Sequence, residues 1–375
     1  MHLLLLLICS NPVFAETIED LDLEALLDQE IRAGEMGSFG QRLSEYGIAV
    51  DIHGYLSVEA KGIPMPWYTD ADEQVWTFDL HHQVLNIPVK IGDRLQAETQ
   101  IEWEHAGQSF YVPLAQIDLK LAEPLIVRTG FFVAPIGAFN EYQYPDFLRK
   151  AAQQPMWTRE VVPSLWSEVG VQLRGKLSFA NGGNINYAVF TSNGLEQRDS
   201  DSDDEIIPEG GSIRDMRFHD RDKSDSNKAV GGRLGVAPFD GLDLGASGYT
   251  GAYTVDGQRQ LSILDLDLTF RREALLVRAE GAVALQEITN GQLQKSGGYA
   301  MVAYRVSPAL EPYGWVETID LDDGEGRTLG WLGGAGIYPD PVAIPSLVLK
   351  VEVSTFTTNS GVVSGQGMSQ LAFSF

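Results

Sequence analysis

The chain has 375 residues, 44% of them hydrophobic, with 39 glycines and 52 acidic against 27 basic side chains, a formal net charge of −25. That balance argues against nucleic acid as a partner, which would call for clustered Lys and Arg. No apolar run reaches the roughly 18 residues of a membrane-crossing helix. The first segment, MHLLLLLICSNPVFA, has the short apolar core and small-residue end of a secretory signal, with cleavage expected after Ala15. It lacks the basic opening of such signals, so the natural start is expected further upstream. Cys9, the single cysteine, lies within it. Residues 16–46 follow as a periplasmic segment, where Ile18, Leu21, Leu26, Leu27 and Ile31 gather on one side of a short helix.

From Gly47 the apolar period becomes two. LQAETQIEWEH sets Leu95, Ala97, Ile101 and Trp103 against Glu98, Glu102 and Glu104. LSILDLDLTF and SLVLKVEVSTF alternate in the same way. This is the pattern of strands with one apolar and one polar face. About sixteen such strands can be counted, at 47–60, 74–90, 93–106, 110–121, 125–134, 167–178, 184–192, 228–238, 241–253, 259–271, 273–288, 294–306, 309–319, 327–337, 344–357 and 365–375. Every second connection reads as a tight turn, whereas those between, including 61–73, 135–166 and 193–227, are generally longer. A soluble sandwich has no reason to sort its loops by parity; a transmembrane barrel does. Trp76, Phe78, Trp103, Phe131, Phe270 and Trp331 lie near strand ends on the apolar face, where an interfacial girdle belongs. The last strand ends in SQLAFSF, with Leu371, Phe373 and Phe375 on one face. It resembles the C-terminal signal by which outer-membrane barrels are recognised for insertion. The fold class expected is therefore all-β: a transmembrane antiparallel β-barrel of about sixteen strands over residues 47–375.

The connection 135–166, PIGAFNEYQYPDFLRKAAQQPMWTREVVPSLW, lies between the fifth and sixth strands. Long loops in compact folds tend to be functional. Its mixed charges, Glu141, Asp146, Arg149, Lys150, Arg159 and Glu160, suit a pore constriction; the alternative is an ordinary surface loop. GFFVAPIGAFNEYQYPDF, then VVPSLWSEVGVQLRG and INYAVFTSNG, resemble the phosphate-selective porin (O and P) family across roughly residues 75–195. The resemblance implies a sixteen-stranded channel, usually a trimer, with an inward-folded loop at this position. That family's anion selectivity rests on a dense array of Arg and Lys, and here the chain departs from it. Arg128, Arg174, Lys176, Arg233, Arg278, Arg305 and Lys350 on the lumen parity are offset by Glu98, Glu102, Glu104, Asp118, Asp265, Asp267, Glu280 and Glu352. Rings of charge select ions by field, and this field has no clear sign.

FDLHHQ at 78–83 and IEWEHA at 101–106 raise a second possibility. A two-residue turn at Gly92-Asp93 sets His81 opposite Glu104 and Gln83 opposite Glu102, with Asp79 one step away. Asp79, His81, Glu102 and Glu104 could then bind a divalent cation; a cross-strand ion pair in the wall is the plainer reading. The acidic stretch EQRDSDSDDE in 193–227 lacks the Gly and Glu of a calcium loop and reads as a solvated extracellular loop. No nucleophile motif, zinc spacing or phosphate loop is present, and no cofactor is expected. The functional expectation is a non-enzymatic passive channel for small hydrophilic solutes or ions in the outer membrane of a Gram-negative cell. Its partners would be outer-membrane lipid and lipopolysaccharide, the barrel-assembly machinery and further copies of itself in a homotrimer. A non-conducting structural or adhesin barrel, or a barrel hydrolase using His81 or His105, are the competing readings.

Overall fold

A computed structural model of the chain describes residues 47–63, 77–180, 182–197, 206–217, 228–324, 326–359 and 361–375. The expected signal segment, the 16–46 helix, Trp76 and the acidic run Asp199–Glu205 lie outside the described residues. The strands are β1 (Ile48–Val50), β2 (His53–Ile63), β3 (Thr77–Ile91), β4 (Leu95–Glu104), β5 (Ser109–Ala122), β6 (Leu125–Val133), β7 (Ser167–Ser178), β8 (Asn184–Ser192), β9 (Ala229–Phe239), β10 (Leu242–Ala252), β11 (Gln260–Arg272), β12 (Leu275–Ile288), β13 (Gly291–Tyr304), β14 (Leu310–Asp320), β15 (Thr328–Ile337), β16 (Leu347–Thr358) and β17 (Gly361–Ser374). From β2 onward each strand pairs antiparallel with the next in sequence. β1 and β2 both pair with β3, as two pieces of one strand interrupted at Asp51-Ile52. β17 returns to β2 with Phe373 opposite Leu56, which closes a sixteen-stranded barrel. Phe375 completes the seam: its N–H donates to Gly54 O at 2.9 Å, and its carbonyl accepts from Gly54 N at 2.8 Å.

The barrel is inside-out relative to a soluble protein. On β11, Leu264 and Leu266 point outward at 69% and 67% exposure, whereas Asp265 and Asp267 between them are buried inside. Val171, Leu173, Leu234, Val302, Trp331, Leu371 and Phe373 share the outer face, and Glu59, Glu98, Gln172, Lys350 and Glu352 the inner one. Leaving each large apolar side chain in water forfeits about 1.5–3 kcal/mol, a penalty that a hydrocarbon environment removes. No helix among the described residues is long and apolar enough to cross a membrane; the outward apolar band is carried by the strands. They are the length that such crossing requires.

Loop lengths are sorted by side, but less cleanly than the sequence reading expects. On the long-loop side, 105–108 and 289–290 are tight turns, and on the opposite side 338–346 is extended. A two-residue turn at Thr289-Asn290 sets Ile288 opposite Gly291, so β13 begins at Gly291 rather than at residue 294.

Candidate functional site

Residues 134–166 fold into the barrel. The loop leaves β6 and carries Ile136, Phe139, Trp157, Val161 and Trp166 into an apolar cluster with inward-facing Tyr249, Tyr299, Met301, Tyr313 and Trp315 of the wall. A π-helical turn at Phe139–Gln143 and a short α-helix at Trp157–Glu160 shape it. Polar tethers hold its backbone to the wall. Gly137 N–H donates to Ser247 Oγ at 2.9 Å, and Phe139 N–H to Glu280 Oε2 at 2.9 Å. Ala152 and Gln153 N–H donate to the two oxygens of Glu352 at 2.8 and 2.7 Å. Met156 N–H donates to Glu317 at 2.5 Å. Glu280, Glu317 and Glu352 of the wall thus serve as acceptors for loop amides.

Glu141, Asp146, Arg149 and Lys150 of the loop are paired as well. Glu141 faces Arg233, which also binds Asp267 through two nitrogens at 2.8 and 2.6 Å. Arg149 binds Asp146 and the carbonyls of Tyr144 and Ala152. Lys150 donates to Glu311 at 3.0 Å, a carboxylate shared with Arg305. Asp265, Asp267 and Glu280 therefore meet the first part of the loop, at Gly137–Glu141, and not Arg149 or Lys150. Among the lumen cations, Arg128 is held bidentately by Asp118, with both bonds at 2.7 Å. Arg174 is half-buried and Lys176 exposed at the turn side of β7.

Asp146 is the centre of a dense polar cluster. Its Oδ2 lies 2.7 Å from His82 Nδ1 and 3.2 Å from His81 Nδ1, and it also accepts from the Ser57 hydroxyl. Beyond His82, Nε2 lies 3.2 Å from Glu104 Oε1, 3.5 Å from Glu102 Oε1 and 3.3 Å from the Tyr144 hydroxyl. Burial alone would raise the Asp146 carboxyl, but Arg149 and the two imidazoles hold it well below the usual carboxylate range. Burial, reinforced by Glu102 and Glu104, pushes the Tyr144 phenol well above 10. Ser57 donates to Asp146 rather than to an imidazole, so the group is not arranged as a serine nucleophile activated by its base.

This cluster differs from the set expected from the sequence. The turn at Gly92–Arg94 has three residues, pairing Ile91 with Leu95, and this places His82, not His81, opposite Glu104. The pairing of β2 with β3 slips by one residue between Ser57/His82 and Val58/Leu80, so both imidazoles reach the interior. Asp79 lies outside the cluster, bound to Lys61 at 2.6 Å and to His105 at 2.8 Å. The HisHis dipeptide was a visible signal for His82; nothing local marks Tyr144 or Ser57 as its neighbours.

At the long-loop mouth, a cavity of about 780 Å³ is lined by Arg159 and Glu160 of the inward loop together with Arg214, Asp215 and Arg217. Burial and the neighbouring Arg214 depress Arg217 to about 10 and also lower Arg159, while burial raises Glu160. The later part of 206–217 packs against the protein, whereas Ile206, Pro208 and Glu209 are exposed. Ile213 and Met216 are fully buried, and Arg217 donates to the carbonyls of Ser164 and Leu165, which joins this segment to the end of the inward loop.

The architecture has close parallels among solved structures. An anion-selective porin from Comamonas acidovorans superposes with a TM-score of 0.60 at 10% identity, covering 88% of this chain and 100% of that one. The outer membrane channel DcaP of Acinetobacter baumannii gives 0.57 at 10% identity, covering 88% and 98%. The trimer form of OmpT, an outer membrane protein of Vibrio cholerae, gives 0.56 at 12% identity, covering 88% and 100%. The fold is that of the outer-membrane porins. No protein-family model matches the sequence, and a search of curated proteins returns no significant match.

Proposed function

We propose that the chain is an outer-membrane porin of a Gram-negative cell, a passive channel for small hydrophilic solutes whose narrowest part is set by residues 134–166. The observation that carries this is the inward loop itself, seated inside a sixteen-stranded wall with an apolar outer and a charged inner face. Barrels of this size leave an interior that side chains alone do not fill. The fold likeness to an anion-selective porin and to an outer membrane channel supports the same reading. The trimer form of the Vibrio cholerae protein supports assembly as a homotrimer.

A preference for phosphate is not part of the proposal. Among the described residues, Arg128, Arg233 and Arg305 of the wall each sit against a carboxylate, which offsets their charge. Weak selectivity follows, set at the mouth where Arg159, Arg214 and Arg217 outnumber Glu160 and Asp215. Single-channel recording in planar bilayers, with a reversal potential under a salt gradient, tests this. A small, weakly selective conductance is expected, because the loop is bonded to the wall at several separate strands. That same bonding favours the second reading, a closed structural barrel, and absence of any conductance from correctly folded protein would establish it instead.

A further inference from the structure

We propose that His82, Glu102 and Glu104, backed by Asp146, form a site for a borderline divalent cation such as Zn²⁺, fixing the inward loop to β3 and β4. Three ligand atoms already converge there: His82 Nε2, Glu102 Oε1 and Glu104 Oε1, with the imidazole 3.5 and 3.2 Å from the two carboxylates. Four ligands placed tetrahedrally at about 2.0–2.1 Å from zinc stand about 3.4 Å from one another. The Tyr144 oxygen, 3.3 Å from His82 Nε2 and 3.4 Å from Glu104 Oε1, stands where a fourth ligand or an ion-bound water would be held.

Two further observations point to an ion rather than to a chance cluster. Glu102 is 0% exposed, yet neither of its carboxylate oxygens accepts a hydrogen bond. A buried carboxylate in that condition bears a desolvation cost that a cation would offset. In addition, the far nitrogen of His82 lies 2.7 Å from Asp146, which is itself held by Ser57 and Arg149. A carboxylate on the second imidazole nitrogen is the arrangement that fixes the tautomer and orientation of metal-binding histidines. Charge agrees too: two carboxylates and a neutral imidazole become neutral overall with one divalent ion. Entry is available past Glu104, whose side chain is 16% exposed. Because Tyr144 and Asp146 belong to the loop and the other groups to the wall, the ion would staple one to the other.

The test uses the full mature chain in detergent, stripped with a chelator and dialysed against Zn²⁺, with bound metal counted by mass spectrometry and Co²⁺ as the spectroscopic substitute. Heat-modifiable gel mobility establishes that each variant is a folded barrel. The expected result is one Zn²⁺ per chain and the intense visible bands of four-coordinate Co²⁺. Glu102→Gln should weaken retention at least about tenfold and Asp146→Asn by about 10–100-fold, whereas Asp79→Asn, outside the cluster, should leave it unchanged. The proposal is overturned if the wild-type protein retains no stoichiometric Zn²⁺, or if Glu102→Gln binds as tightly as wild type. It is equally overturned if His81→Gln abolishes binding while Glu102→Gln does not, which would put the ion on the opposite side of His82.

Discussion

Arg149 is 4% exposed, and its guanidinium meets the Asp146 carboxylate as well as the carbonyls of Tyr144, Ala151 and Ala152. Removing one partner of such a buried pair strands the other. Arg149→Ala is expected to lower stability by about 3–5 kcal/mol, measured by denaturant unfolding in detergent, and to make the channel noisier rather than simply wider. Asp146 supplies a pH dependence whose sign is fixed by its lowered carboxyl. A group depressed in the docked loop contributes stability that is complete above its free value of about 3.9, and it is lost as pH falls through the docked value. Proteolytic nicking within 134–166 should therefore stay low from pH 7 down to about 4 and rise below that. In Asp146→Asn the step should vanish; a step surviving there would assign it to another group.

At the scale of elements, the entry to the inward loop turns on Gly137, whose φ of +74° suits glycine, and a Cβ there would lie 2.5 Å from Glu280 Oε1. Gly137→Ala should push that carboxylate off the Phe139 amide at a cost of about 1–3 kcal/mol, and raise conductance in single-channel records. Unchanged conductance would mean that this end of the loop does not limit the pore. The strands themselves were legible because lipid on one side and a polar interior on the other impose a strict alternation, as in Leu264-Asp265-Leu266-Asp267. Register was not legible. A three-residue turn in place of two moved His82 opposite Glu104, and a one-residue slip near His81 put both imidazoles inside; period-two patterning survives either change unseen. Nor could the loop's destinations be read, since Ala152 meets Glu352 two hundred residues away and no local propensity encodes that contact.

For the molecule as a whole, Phe375 extends the ladder by which β17 closes on β2. Phe375 makes both backbone bonds to Gly54 and stacks on Phe373, with ring centroids 6.2 Å apart. Deleting Phe375 should sharply reduce the amount reaching the outer membrane, while molecules that do insert keep a normal conductance. Normal membrane levels of the truncated chain would remove the insertion role assigned to this terminus. Selectivity should be governed at the mouth. Arg159→Ala with Arg214→Ala should move the reversal potential toward cations, and an unchanged potential would place the selecting charges elsewhere. Light scattering in several detergents should report three copies per particle, and a monomer throughout would defeat the trimer.

Asp146 has one more consequence, for the order of assembly. Its side chain is bonded to Ser57 on β2, and its carbonyl accepts from Lys350 on β16; Lys350 in turn donates to Gln370 of β17 at 2.9 Å, and Gln370 to Glu59 of β2 at 2.7 Å. The inward loop is thus laced to both lips of the junction where the first and last strands meet. Those lacing points do not exist as a set until the two chain ends have found each other. These bonds resemble a zip-fastener's end stop: the full set can be made only on a finished cylinder, and once made it ties together the one joint that sequence neighbours do not hold.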